Sequence, residues 1–250
     1  SNLQNIIELL EEMNMKKRVL SFLLASCMVI SMALLTTGCS PKAGVSALWD
    51  AGKTRNKIVV ISDIHIGIDD KYAETVKNRP LLIKFLQQLQ RTTDVRELVI
   101  DGDFLDEWFL PVNYPSYKDV IANNQGVIDE LNKVADNGIK LVYIPGNHDM
   151  TQENDVLQEA IPKIVQVRDA KGLGTYYTGD RNEIAIEHGH RYDVFSAPDT
   201  VTNAELVGNS DTILPAGYFY ARYAATWVLE GRPKVEKNLP VVTNVPDNSD

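Results

Sequence analysis

Cysteine, histidine and positive charge are all scarce in this chain, and each scarcity narrows what it can be. Its 250 residues contain two cysteines, Cys27 and Cys39, both in the N-terminal tract. The remainder therefore has no disulfide framework and no thiolate zinc site. Lys and Arg number 25 against 34 Asp and Glu, a net charge of -9. That balance argues against a surface that coats nucleic acid, which needs clustered basic residues. It does not argue against small phosphorylated substrates, because a bound metal ion locally reverses the sign of the field. Internal repeats and low-complexity segments are absent. With 44% hydrophobic and 24% charged residues the composition is globular, and one α/β domain is the expectation from its size.

The longest apolar run lies near the N-terminus. Met15-Lys16-Lys17-Arg18 gives a basic start, Val19 to Leu35 is almost continuously apolar, and Thr36-Thr37-Gly38 leads to Cys39-Ser40. Basic, apolar and small-residue regions in this order predict a secretory signal over 15–39. Its end resembles a bacterial lipoprotein lipobox with Cys39 as the acylated residue, although Thr36 stands where Leu is more common. An uncleaved anchor helix and a simple signal peptide are the alternatives. All three place the domain in an exported, cell-envelope location, and the first two tether it to a membrane. Residues 1–14 are read as a leader foreign to the fold, 40–56 as a linker, 57–232 as the domain, and 233–250 as a tail or the start of a further segment.

Within the domain, short β-branched runs alternate with longer segments of helical period. Lys57–Ser62, Glu97–Asp101 and Lys140–Ile144 read as buried strands. Tyr72–Gln90 reads as a helix limited or kinked by Pro80, Tyr117–Asn137 as one amphipathic helix stopped by Gly138, and Asn154–Ile161 as a short one. Tyr176–Thr178 and Glu183–Glu187 read as a hairpin. A layered α/β fold with a second sheet follows. The aromatic stretch Tyr218, Tyr220, Tyr223 and Trp227 has helical spacing with Leu229, and is expected as a packed amphipathic helix rather than a substrate lid.

All four histidines fall in four polar motifs, each directly after an apolar run. They are Asp63-Ile64-His65, Gly102-Asp103-Phe104-Leu105-Asp106, Gly146-Asn147-His148-Asp149 and His188-Gly189-His190. Singly, each has a plain structural reading as a cap, turn residue or hydrogen-bonded histidine. Jointly they are hard to obtain from turns, since ligands in open α/β sheets bind where strand carboxyl ends converge. Mixed oxygen and nitrogen donors suit divalent metals, and a pair of such ions suits attack on phosphorus.

In that order the motifs resemble those of the calcineurin-like metallophosphoesterase superfamily: DxH, GDxxD, GNHD or GNHE, H, then GHxH. The resemblance covers roughly residues 57–191. It implies a four-layer α/β/β/α sandwich and two divalent metal ions (manganese, iron, zinc or similar). It also implies hydrolysis of phosphate ester or pyrophosphate bonds by a metal-bridging hydroxide. Asp63 and His65 would bind the first metal, Asp103 would bridge both, Asn147 and His188 would bind the second, and His148 would face the phosphate as acid or stabiliser. Asp106, Asp149 and His190 are candidates to orient the ligands rather than bind metal. Trp108-Phe109 after Asp106 is similar to the branch that hydrolyses UDP-diacylglucosamine, from which the chain departs at His148, where that branch usually shows arginine.

No histidine follows His190, so the closing GHxH is missing from these residues. The expectation is a fold incomplete at its C-terminus, or else a degenerate member that binds metals poorly. Two functions follow: a metal-dependent phosphoesterase, and a non-catalytic binding module on the same scaffold.

Overall fold

Three of the β-branched runs lie side by side as parallel strands, joined by a fourth. In the computed structural model β1 (Lys57–Ile61), β2 (Val95–Asp101), β3 (Lys140–Ile144) and β4 (Val165–Gln166) form one sheet in sequence order. The pairing sets Glu97 against Lys140 and Val142 against Val165. A second, antiparallel sheet consists of β5 (Tyr176–Thr178) and β6 (Ile184–Ile186). The structure describes residues 44–49, 52–69, 75–108, 116–198 and 212–231. The chain divides into two compact units, Ser1–Lys42 and Ala43–Asp250, and every described residue belongs to the second. The leader, signal tract with Cys27 and Cys39, tail and Phe109 lie outside the described residues. No helix among the described residues is long and apolar enough to cross a membrane.

The alternation of side chains along β2 and β3 builds two cores. Leu98, Ile100, Leu141 and Tyr143 point to one face and join Leu86, Leu89, Val127, Ile128, Leu131 and Val134 of the helices. Val99, Val142 and Ile144 point to the other and meet Tyr176 of the second sheet. Each large aliphatic side chain so buried contributes roughly 1.5–3 kcal/mol. Between the sheets, buried Glu97 accepts hydrogen bonds from Tyr176 Oη at 2.9 Å and Thr178 Oγ1 at 2.7 Å. Helices, parallel sheet and second sheet thus form successive layers of a mixed α/β fold.

Two helices differ from the sequence reading. The first, α1 (Arg79–Arg91), carries Pro80 in its first turn instead of being kinked by it, because proline's fixed φ and missing N–H suit that position. The single helix expected over 117–137 is two, α2 (Tyr117–Asn123) and α3 (Gln125–Asp136). Asn124 breaks it: its amide donates to Val120 O and to Gly67 O, both at 2.7 Å, and so competes with the helical ladder. The remaining helices among the described residues are α4 (Asn154–Ala160) and α5 (Ala216–Leu229), with a 3₁₀ turn at His190–Tyr192.

The segment read as a linker is partly fixed to the domain. Leu48 and Trp49 pack against the helical core, Trp49 Nε1 donates to Asp94 Oδ1 at 2.7 Å, and Arg55 donates to Val95 O at 2.9 Å. Buried Asp94, just before β2, explains this, since it gathers both the indole and the Lys57 ammonium.

Candidate metal centre

The four motifs meet at the carboxyl ends of β1, β2, β3 and β6. The first two zip together by backbone hydrogen bonds, Asp63 N to Gly102 O at 3.2 Å, His65 N to Asp103 O at 2.8 Å and Ile66 N to Phe104 O at 2.9 Å. Those bonds hold Asp63, His65 and Asp103 at φ of 54°, 49° and 51°, in the left-handed region. Backbone strain of this kind costs about 1–3 kcal/mol per residue and persists where surrounding contacts over-determine it. Thr75 Oγ1 adds a hydrogen bond to Ile64 O at 2.8 Å and one to His65 O.

Two glycines let the motifs close on Asp103. A Cβ at Gly146 would lie 2.1 Å from Asp103 Oδ1, and one at Gly102 would lie 2.3 Å from the His188 ring. With both absent, His148 N donates to Asp103 Oδ1 at 2.9 Å and His188 Nε2 lies 3.4 Å from Asp103 Oδ2. His65 Nε2 lies 3.7 Å from the same oxygen.

Among the described residues two groups of potential metal donors result, His65 with Asp103 and His148, and Asp63 with Asp103 and His188, each with its ligand atoms within 4.8 Å of one another. Asp103 is common to both. Asn147 is buried in the same loop, between Gly146 and His148. His148, assigned from sequence to the phosphate alone, therefore also stands beside candidate ligands His65 and Asp103. The donor set is all oxygen and nitrogen, it is centred on one carboxylate, and its backbone is held in place before any ion arrives. These residues fit a divalent-cation site.

The remaining polar residues of the motifs hold this arrangement from behind. Asp106 takes both imidazoles, with its Oδ1 3.0 Å from His148 Nδ1 and its Oδ2 3.4 Å from His65 Nδ1. Asp149, fully buried, accepts from Gly146 N at 2.7 Å, Phe104 N at 2.9 Å and Leu105 N at 3.1 Å, clamping the second and third motifs together. His190 joins neither donor group: its Nε2 donates to Gly172 O at 3.1 Å, and its ring centre is 5.5 Å from that of His188.

Burial and charge act in opposite directions across the site. Burial works against the Asp103 and Asp106 carboxylates, but His188 and His148 around the first, and His148 and His65 around the second, hold both below the usual range. Burial also opposes charge on His188, yet its hydrogen bond and attraction to Asp103 raise it to about 9. Asp149 is pushed up to about 6 by burial and then by the Asp103 charge, while burial and His188 bring His190 down to about 4.

A match by known families agrees with this geometry. The family model for calcineurin-like phosphoesterases matches residues 56–239. The chain belongs to that family. Comparison with curated proteins returns no match. Membership supports a hydrolase acting on phosphoesters with divalent metals, and the donor groups lie where the shared motifs converge.

Three neighbours of the phosphoesterase centre were not legible as such in the sequence. Trp108 stacks on His148 with ring centres 4.4 Å apart and planes at 17°. Tyr117 Oη donates to His148 O at 3.2 Å. Arg222 of α5 donates to Glu107 O at 3.0 Å, tying that helix to the Asp106 loop. The Asp-x-Trp spacing was visible, but nothing in it told that the indole would lie on the histidine. On α5 the expectation of packing holds for the inner face, where Arg222 and Ala225 are buried, and fails for Tyr220 and Tyr223, which are exposed.

Proposed function

We propose that the chain hydrolyses phosphate ester or pyrophosphate bonds at a centre of two divalent metal ions. The observation that carries this reading is the position of Asp103, shared by two donor groups. Asp63, His65, Asn147 and His188 would complete the ligands. Bound there, the cations would supply Lewis acidity and activate water between them as a nucleophile at neutral pH.

The protein's own residues account for the rest. Asp106 holds His148 at Nδ1, which leaves Nε2 as the atom that would stabilise the phosphoryl oxygens or protonate the leaving-group oxygen. His188 donates Nδ1–H to Asp101 O at 2.8 Å, which fixes the tautomer with Nε2 toward Asp103. Asp149 acts on backbone and not on substrate, since it is fully buried. We place the domain in the cell envelope, held by the 15–39 tract, and read the substrate as a small phosphorylated molecule.

The test is hydrolysis of mono- and bis-p-nitrophenyl phosphate by the full chain with manganese, iron or zinc. Turnover in the wild type that disappears in His148→Ala is the expected result. A metal-loaded chain that cleaves neither compound would instead favour a binding module on the phosphoesterase scaffold.

A further inference from the structure

Helix α5 carries its apolar side outward. Ala216, Phe219, Tyr220, Tyr223, Ala224 and Trp227 recur at helical spacing and line an open apolar depression of about 590 Å³. Tyr220 is 84% and Tyr223 70% exposed, with Phe219 and Trp227 at 44% and 38%. The charged side chain within the helix, Arg222, is buried on the opposite face against Glu107. The stripe extends beyond the helix, because Phe195, 67% exposed, sets its carbonyl against Gly217, and Val194 beside it is 61% exposed. An uncharged face this rich in tyrosine, phenylalanine and tryptophan has the composition of a membrane–water interface, where amphipathic rings sit at headgroup level.

The N-terminal sequence supplies the second observation. The apolar run Val19–Leu35 and Cys39 would fix the chain at a bilayer, and Leu48 is already packed on the domain. The intervening chain from Cys39 to Leu48 spans at most about 30 Å when extended. A lead of this length keeps the domain within about 30 Å of the headgroups, and surface chemistry then selects the face turned to them. We propose that the outer face of α5, with Val194 and Phe195, docks on that lipid surface. This rests on the envelope tether proposed above, and not on the phosphoesterase reading. The net charge of -9 points to insertion of rings, not attraction to anionic lipid, as the source of binding. The inner face of the same helix reaches the site, since Tyr218 lies edge-on to Trp108 at 6.2 Å.

The full chain, reconstituted in phosphatidylcholine vesicles, tests this by flotation and by quenching with brominated phosphatidylcholine. The Trp227 signal, taken as wild type less Trp227→Phe, should be quenched. Tyr220→Ser/Tyr223→Ser should still float, keep its circular dichroism spectrum, and show quenching several-fold smaller. Flotation with Trp227 unquenched leaves the tether and overturns the docking. Failure to float overturns the tether and the docking with it. A detergent-solubilised dimer that the double variant dissolves would assign the face to a second copy, and overturns the lipid assignment.

Discussion

The Trp108 indole lies flat on the His148 imidazole, 4.4 Å between ring centres, while the Trp108 backbone N–H donates to Asp106 Oδ1 at 2.9 Å. One residue thus fixes both the plane of the histidine and the carboxylate that holds its Nδ1. A stacked aromatic pair is worth about 0.5–1.5 kcal/mol beyond its buried area. Trp108→Ala should therefore lower kcat by up to about tenfold with KM little changed. Trp108→Phe should recover most of the loss, and steady-state kinetics on p-nitrophenyl phosphates would check both. Equal losses in the two variants would contradict the stacking role.

Asp106 should matter more than Trp108, because it contacts His148 and His65 together. Removing a carboxylate that orients imidazoles typically costs 10–100-fold in metal affinity or activity, roughly what Asp106→Asn should lose here. The loss should appear in both quantities, measured by calorimetric metal titration and by turnover.

His188 gives the site a pH dependence whose sign depends on the metal. Its folded-state pKa is raised to about 9 from an ordinary 6.5. The metal-free protein has that stability in full below pH ~6.5 and loses it as pH rises toward 9, roughly 3 kcal/mol in all. Metal binding runs the other way, since the cation competes with the proton on the imidazole. Thermal unfolding across this window should show the metal-free midpoint falling while the increment from manganese grows. His188→Asn should flatten the first trend, and an increment that shrinks with pH would contradict the role given to His188.

Gly146→Ala places a methyl 2.1 Å from Asp103 Oδ1. Either the loop or the carboxylate must move, and forcing extra volume into a packed site costs about 1–3 kcal/mol. Lower thermal stability together with lost metal affinity is expected. Gly138→Ala is the comparison: its positive φ also strains a substituted residue, but nothing lies within 4 Å, so stability should fall while metal affinity stays.

Legibility in the sequence followed the range of the interaction. Strands such as KIVVI and KLVYI were readable because apolar runs between turn residues are local signals, and the motifs were readable because strand ends place them. Helix breaks were not, since the bond from Asn124 to Gly67 O spans 57 positions. The same holds for Trp49, read as linker but bonded to Asp94, and for Glu97, a strand residue that anchors the second sheet through Tyr176 and Thr178. Asp106 and Asp149 were placed behind the ligands by spacing, but which groups each one holds depends on how three loops pack.

The sharpest test of the shared carboxylate is metal stoichiometry by elemental analysis of the full chain and of Asp103→Asn, each loaded with manganese and desalted. If Asp103 joins both donor groups, the wild type retains two ions per chain and the variant loses both. A variant that keeps the wild-type stoichiometry would contradict the bridging role, and with it the two-metal account of this site.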